Sequence, residues 1–137
     1  MSDISMILKR IGATLVTDVA PKLEGDYSNG HANMSGLIAA MAGDMWDREV
    51  DLLVTEIAAL RELLEAGGID HGIQPAPSFK VSDLKATRNA LAEELITLQS
   101  ALETRPDDAS KSLNTKIWGH LLATSAARIP SPPQFGD

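Results

Sequence analysis

The sequence predicts an all-α protein, a helical bundle of four main helices in which the second helix is long. Apolar residues recur at steps of three and four through most of the chain. Aromatic residues make up only 4% of the composition, and no segment alternates with the period of two that marks a strand. A chain of 137 residues suits one domain. We expect that domain over residues 1–129, followed by an irregular Pro-rich tail over 130–137.

A first amphipathic helix is predicted over residues 3–20, with Ser2 as its N-cap. Its apolar stripe contains Ile4, Ile7, Leu8, Ile11, Leu15 and Val19. Pro21 should stop or kink this helix because proline has no N–H to donate. The segment from Leu23 to Gly30 then reads as a turn, with Asn29-Gly30 as its strongest signal.

The stretch from His31 to Gly68 contains no proline and keeps a helical period, which predicts a helix over about 31–66. Its apolar positions form two runs, Met34, Ile38, Met41 and Met45, and then Trp46, Val50, Leu53, Ile57, Leu60 and Leu64. Gly43-Asp44 is the weakest point, since a helical glycine costs about 1 kcal/mol. We expect one long helix, straight or bent there, that ends at Gly67-Gly68.

Two further helices are predicted over 80–104 and 107–128, after a loop to Ser78 that is either packed or mobile. The first carries a heptad seam of Val81, Leu84, Arg88, Leu91, Leu95, Leu98 and Leu102. Arg88 is the one charge in that seam, and a buried arginine needs a partner. Glu56 or the Asp44–Asp47 cluster could supply the partner carboxylate.

The two later helices can cover the second half of the long helix and form a three-helix core around residues 46–66. The first half then has only the first helix beside it, and exposed apolar surface usually meets a partner. Small residues in that half would let another helix approach closely, and they are the interface candidates Ser35, Gly36, Ala39, Ala40 and Gly43. We therefore expect a homodimer in which helices 1 and 2 of two copies form a four-helix bundle. The alternative is a break at Gly43 and a compact monomeric bundle.

Charge and composition argue against several classes of function. The net charge is -7 and no short window is rich in Lys and Arg, which argues against nucleic acid or an anionic membrane as a partner. The chain has no cysteine and no apolar run long enough to cross a bilayer. These features predict an acidic cytoplasmic protein with no nucleic-acid or membrane partner.

Four polar residues are candidates for a site: His31, Asp44, Arg88 and His120. Each also has a structural interpretation, as a helix-end histidine, a solvated acid, a register-fixing ion pair and a buried imidazole. The sequence has no Glu-x-x-His or His-x-x-x-His pair and no phosphate loop or nucleophile motif, so we expect no metal and no cofactor.

Two functions from different classes remain. The favoured one is a non-enzymatic helical interaction or accessory module that self-associates and can bind a protein partner. The alternative is a small-molecule- or metal-binding bundle, with or without enzymatic activity, that uses His31 or His120. A cleft that holds a histidine and a charged partner would favour the alternative. A filled core with backbone-bonded histidines would favour the first.

The run Val19-Ala20-Pro21-Lys22-Leu23-Glu24-Gly25, followed by His31-Ala32 at the start of an Ala-rich helix, resembles a bacterial family of small helical proteins of unknown function. The ending is also similar, with a helix from Leu113 to Arg128 and a Pro-containing aromatic tail. Members of that family are often encoded beside aminoglycoside-phosphotransferase-like kinases and acyl-CoA dehydrogenase-like enzymes. The resemblance implies an accessory role beside such an enzyme and assigns no catalytic residue.

Overall fold

The computed structural model describes residues 3–135 and contains four α-helices and no strand within that range, which confirms the all-α prediction. The helices are α1 (Ile4–Thr14), α2 (Ser28–Ala66), α3 (Val81–Glu103) and α4 (Asp108–Ala127). A π-helical turn (Leu15–Val19) and a 3-10 turn (Ala20–Leu23) connect α1 to α2. The bounds of α3 and α4 agree with the predicted helices to within one residue at each end.

The chain divides into two compact units. Unit 1 is Met1–Arg48 with Ile129–Asp137, and unit 2 is Glu49–Arg128. The single domain predicted over 1–129 stays a prediction. Residues 130–135 carry no helix, as expected for the tail.

Helix α1 is shorter than predicted because its hydrogen-bond pattern changes ahead of Pro21. The Ala20 N–H donates to the Leu15 carbonyl, five residues back, and Pro21 then lies in the first turn of the 3-10 segment. A proline cannot donate the next α-helical hydrogen bond, so the chain leaves the α pattern there. Asp3 caps α1 by accepting the Met6 N–H at 3.1 Å. The predicted cap, Ser2, lies outside the described residues.

The turn predicted at Asn29-Gly30 is wrong, because both residues belong to the first turn of α2. The Ser28 N–H donates to the Asp26 carboxylate at 2.7 Å, and this hydrogen bond lowers the pKa of Asp26 below its ordinary value. The Asn29 side-chain amide donates to the Ala20 carbonyl at 2.6 Å. A side-chain acceptor for a free N–H of the first turn outweighs the local turn preference of Asn-Gly.

Helix α2 runs without interruption from Ser28 to Ala66, so the predicted long helix is confirmed and the Gly43 break does not occur. It ends as predicted at Gly67-Gly68. The Ile69 N–H donates to the Leu64 carbonyl and the Gly68 N–H to the Glu65 carbonyl, each at 2.9 Å. Gly68 has φ +70 and completes a Schellman motif, a left-handed conformation that suits glycine.

In unit 1, α1 packs against α2 through small residues. Ser5 and Gly12 are buried on α1, and the Ser5 hydroxyl donates to the Gly43 carbonyl at 2.7 Å. A Cβ added to Gly12 would lie 2.5 Å from the Gly36 carbonyl oxygen and 3.0 Å from the Ala40 Cβ. The two backbones therefore approach as closely as glycine allows.

This contact changes the role of three predicted interface residues. Gly36, Ala40 and Gly43 are buried and lie against α1 of the same chain, so the helix they admit is an intramolecular one. Ser35 is exposed and Ala39 is partly exposed. Only these two of the five candidates keep surface that a second chain can reach.

The apolar stripe predicted for the first helix is largely left outside this contact. Ile4, Ile7 and Ile11 are exposed at 44%, 41% and 47%. On α2, Met34 and Ile38 of the first apolar run are also exposed. The helix faces in contact are the faces with small residues, and the larger side chains project elsewhere.

The Pro-rich tail lies on one side of this helix pair. The Ser131 N–H donates to the Asp44 carboxylate at 3.3 Å, and Arg48 donates to the Ile129 carbonyl at 3.2 Å. A shallow cleft is lined there by Lys9, Ala13, Ala40, Asp44 and the segment from Ser131 to Phe135. The tail is thus a part of unit 1.

Unit 2 has a leucine core at the predicted seam of α2, α3 and α4. The buried cluster contains Leu60, Leu64, Leu91, Leu95, Leu98, Leu102 and Ile117. The loop after α2 is packed, since Ile69 and Ile73 lie against this cluster and Arg61 donates to the Ile73 carbonyl at 3.0 Å. Trp46, the first predicted seam residue, is exposed at 59%.

The close contact in unit 1 predicts the effect of Gly12→Ala. The added Cβ meets backbone, which cannot move aside as a flexible side chain can. The substitution should lower the free energy of unfolding by about 1–3 kcal/mol, as overpacking does. Urea unfolding followed by circular dichroism measures this change.

Gly30→Ala is the matched control, because a Cβ at Gly30 meets nothing within 4 Å. It should leave the protein as stable as wild type or more stable by up to about 1 kcal/mol. Equal effects of the two substitutions would contradict the close approach at Gly12.

Candidate functional site

The strongest group of charged side chains lies in unit 2 around Glu56. This residue is buried on α2, and its carboxylate accepts a hydrogen bond from Arg128. Its other oxygen lies 3.9 Å from the Arg88 guanidinium on α3. One buried carboxylate thus faces two arginines, which offset the cost of burying its negative charge and leave one positive charge in excess.

Three helices position this group. Arg88 occupies its place in the α3 seam between Leu84 and Leu91, which are both buried. Glu56 is therefore the partner that Arg88 takes, from the two that the sequence left open. The Arg88 Nε is buried without a hydrogen-bond partner among the described residues, so the Arg88 guanidinium contacts Glu56 with only some of its N–H donors.

Helix α4 contributes His120, Thr124 and Arg128 at a spacing of four residues, which places them on one face. The Thr124 hydroxyl donates to the His120 carbonyl at 2.9 Å. Arg128 is the C-cap of α4, where a cation is favourable beside the free carbonyls. The face therefore brings an imidazole and a guanidinium to the same side of the helix.

A cleft of about 260 Å³ opens beside these charges. Its lining consists of Leu52, Thr55, Glu56, Ala59, His120, Ala123, Thr124, Ala127 and Arg128. The space exists because three alanines stand where larger side chains would fill the gap between the helices. The result is a mostly apolar depression with three ionisable groups in its wall.

His120 is half-buried in this wall, and its ring makes no hydrogen bond to another described residue. Burial lowers its pKa below the ordinary value. The Glu56 carboxylate acts in the opposite direction and the Arg128 guanidinium adds to the lowering. The imidazole is therefore neutral at pH 7, with nitrogens free to donate and accept.

The other two candidates, His31 and Asp44, belong to unit 1. His31 is exposed on unit 1, edge-on to Tyr27 with ring centroids 4.8 Å apart. Asp44 pairs with Arg48 at 3.0 Å and accepts from the tail, which gives it a structural role. Within residues 3–135, no group of three or more His, Cys, Asp and Glu residues is arranged to hold a metal ion.

Sequence reasoning identified His120, Arg88 and Glu56 but missed Arg128. The available signal was the four-residue spacing from His120 through Thr124 to Arg128. Arg128 was read as the end of a helix, where cations are common for a different reason. Its reach back to α2 depends on the packing of α4, which no local pattern contains.

Glu56→Gln should destabilise unit 2 by about 1–3 kcal/mol, because it removes the one carboxylate that two arginines share. The loss of stability should be smaller than for a fully buried ion pair, because both arginines are partly exposed and can be hydrated again. Thermal and urea unfolding measure the change.

Glu49→Gln is the control on the same helix. Glu49 pairs with the half-exposed Lys85 at 2.9 Å, and such a surface pair contributes less than about 1 kcal/mol. A loss at position 49 that matched the loss at position 56 would contradict the central role of Glu56.

His120 predicts a pH dependence of stability. Its pKa is lowered on folding, so the unfolded chain binds the proton more readily. The contribution to stability is complete above about pH 6.5 and is lost as the pH falls through the lowered pKa. His120→Gln should remove this part of the dependence between pH 7.5 and 5.5. An unchanged pH profile of the unfolding free energy would contradict it.

Within the described residues, no helix is both long enough and apolar enough to cross a membrane. Comparison with known protein families, curated proteins and solved structures finds no match to this chain. The interpretation of function therefore depends on the contacts, exposure and charges of the residues themselves.

Proposed function

We propose that the protein is a self-associating helical module, in which α1 and the first part of α2 bind the same helices of a second copy. The observation that carries the proposal is the exposure of Ile4, Ile7 and Ile11. These residues form the regular stripe of an amphipathic helix, and such a stripe ordinarily faces a core. In unit 1 the neighbouring helix contacts the small residues of α1 instead.

The exposed isoleucines share one side of the helix pair with small residues of α2. Because an α-helix advances about 100° per residue, the isoleucines lie about a third of a turn from the buried line through Ser5 and Gly12. On α2, Ser35, Ala39 and Ala42 lie about a quarter turn to the same side of the line through its buried small residues. The tail occupies the opposite side, above Ala13 and Asp44. We call the six residues Ile4, Ile7, Ile11, Ser35, Ala39 and Ala42 the open face.

The open face is complementary to itself. It has a ridge of isoleucines on α1 and a shallow groove over the small residues of α2. A two-fold axis would place the isoleucine ridge of each copy in the groove of its partner, as in ordinary packing of ridges into grooves between helices. Two helix pairs joined in this way form a four-helix bundle. A second copy is therefore the occupant that this face fits best.

Ile11→Glu and Ala42→Glu test the proposal on the two helices separately. Each introduces a charge on the open face at a side chain that is already exposed, so the fold of the single chain should survive. Light scattering at micromolar concentration should give twice the mass of one chain for wild type. Each variant should weaken self-association at least tenfold, because an unpaired charge would be buried in the dimer.

Ile96→Glu is the matched control, since Ile96 is an exposed helical isoleucine of α3 that belongs to unit 2 and not to the open face. It should keep the dimer mass. A monomer mass for wild type, or equal weakening by all three substitutions, would overturn the proposal.

The accessory role implied by the family resemblance is a separate prediction. It names a partner enzyme, either kinase-like or acyl-CoA dehydrogenase-like, that no match to a known family supports. The dimer test does not depend on that partner.

A further inference from the structure

We infer that the cleft between α2 and α4 of unit 2 binds a small carboxylate with a short apolar chain, through Arg128 and His120. This is a small-molecule site, and it does not depend on self-association through unit 1. The cleft of about 260 Å³ holds a histidine beside a charged partner, the arrangement that distinguishes a binding bundle from a filled core.

The balance of charge favours an anion. Two guanidiniums, Arg88 and Arg128, face the single carboxylate of Glu56, which leaves one positive charge in excess. Glu56 is the only described residue that the Arg128 side chain contacts by a hydrogen bond or ion pair. A guanidinium has five N–H donors in a planar fork, so Arg128 can hold Glu56 on one edge and a ligand carboxylate on another.

A cation is disfavoured in the same place. Glu56 is buried and already faces both arginines, so a ligand amine would have to displace one of them. An amine would also lie near the excess positive charge of Arg128. The cleft wall offers no second carboxylate to offset that repulsion.

The remaining lining suits a short hydrocarbon. Leu52, Ala59, Ala123 and Ala127 present methyl groups, and the volume is far larger than the ~10–15 Å³ that one water needs. A carboxylate at the charged end would therefore leave its alkyl chain against apolar surface. The polar and apolar halves of the cleft together define a short-chain fatty acid as the ligand class.

His120 supplies a signal that non-specific anion binding would not produce. Its side chain lines the same cleft as Glu56 of α2 and Arg128 at the end of α4, and Arg88 of α3 lies 3.9 Å from the Glu56 carboxylate. Burial of the ring holds its pKa below the ordinary value. A bound carboxylate would favour the imidazolium and raise that pKa, so the ligand should bind more tightly as the pH falls from 7.5 to 6.

The test uses the full chain and three molecules of similar shape: butanoate, butanamide and butylamine. NMR follows the His120 ring and the backbone amides of residues 52–59 and 120–128 during each titration. Butanoate should shift these signals saturably and raise the His120 pKa, whereas the amide and the amine should do neither at the same concentration.

Two variants and one control locate the site. Arg128→Gln removes the guanidinium, and Ala123→Leu fills the cleft but keeps every charge, so a folding defect in the first cannot decide the outcome. Each should weaken butanoate binding at least about tenfold, as the loss of a charged hydrogen bond or of the space would. Arg105→Gln, at an exposed arginine of unit 2, should leave binding unchanged.

Four results of the titrations and variants would overturn the inference, and a fifth comes from a salt control. They are no saturable shift up to about 50 mM butanoate, equal binding of butanamide, preferred binding of butylamine, and equal weakening by Arg105→Gln. A shift that chloride at the same ionic strength reproduces would also overturn it, because that would indicate a general anion effect.

Discussion

The close approach of α1 to α2 is the constraint on which unit 1 depends. Gly12 and Gly36 let two backbones meet where a Cβ would collide with a carbonyl, and Ser5 adds a hydrogen bond across the same contact. At Gly12 and Gly36 this contact leaves no room for a side chain. The isoleucines of α1 must therefore lie to one side, where they stay exposed in a single chain. The surface available for association is a consequence of how the helices pack.

In unit 2 the corresponding constraint is a single carboxylate. The leucine core aligns α2, α3 and α4, and Glu56 is buried on α2 between Leu53 and Leu60. A buried charge at that point requires Arg88, and the packing of α4 supplies Arg128 as well. Buried ion pairs add little net stability compared with apolar packing, but they specify register because a shifted helix leaves a charge unpaired. Glu56 can therefore fix how the three helices align.

Helix positions and the leucine seam were predictable because they depend on local periodicity and capping. The end of α2 at Gly68 and the seam from Leu84 to Leu102 follow from that information alone. The orientation of α1 was not predictable, since a stripe shows which side of a helix is apolar but not what lies against it. The turn predicted at Asn29-Gly30 was wrong for a related reason. The Asp26 carboxylate accepts the Ser28 N–H at the start of α2, and this contact outweighs the turn preference of the Asn-Gly dipeptide. In the candidate site, the local sequence pattern identified His120, but it could not show that Arg128 contacts Glu56 on α2.

Small residues have opposite effects in the two units. In unit 1 they are matched across the contact, so the backbones close on each other and leave little space. In unit 2 the side chains of the leucine core and the long side chains of the Glu56–Arg128 pair stand between the helices and keep their backbones apart. Because the helices are held apart there, the small side chains of Ala59 and Ala127 do not fill the space between them, and a cleft remains. A cleft with charged groups at its edge is therefore the expected result of small residues held apart by larger neighbours, and sequence composition alone does not distinguish it from a tight interface.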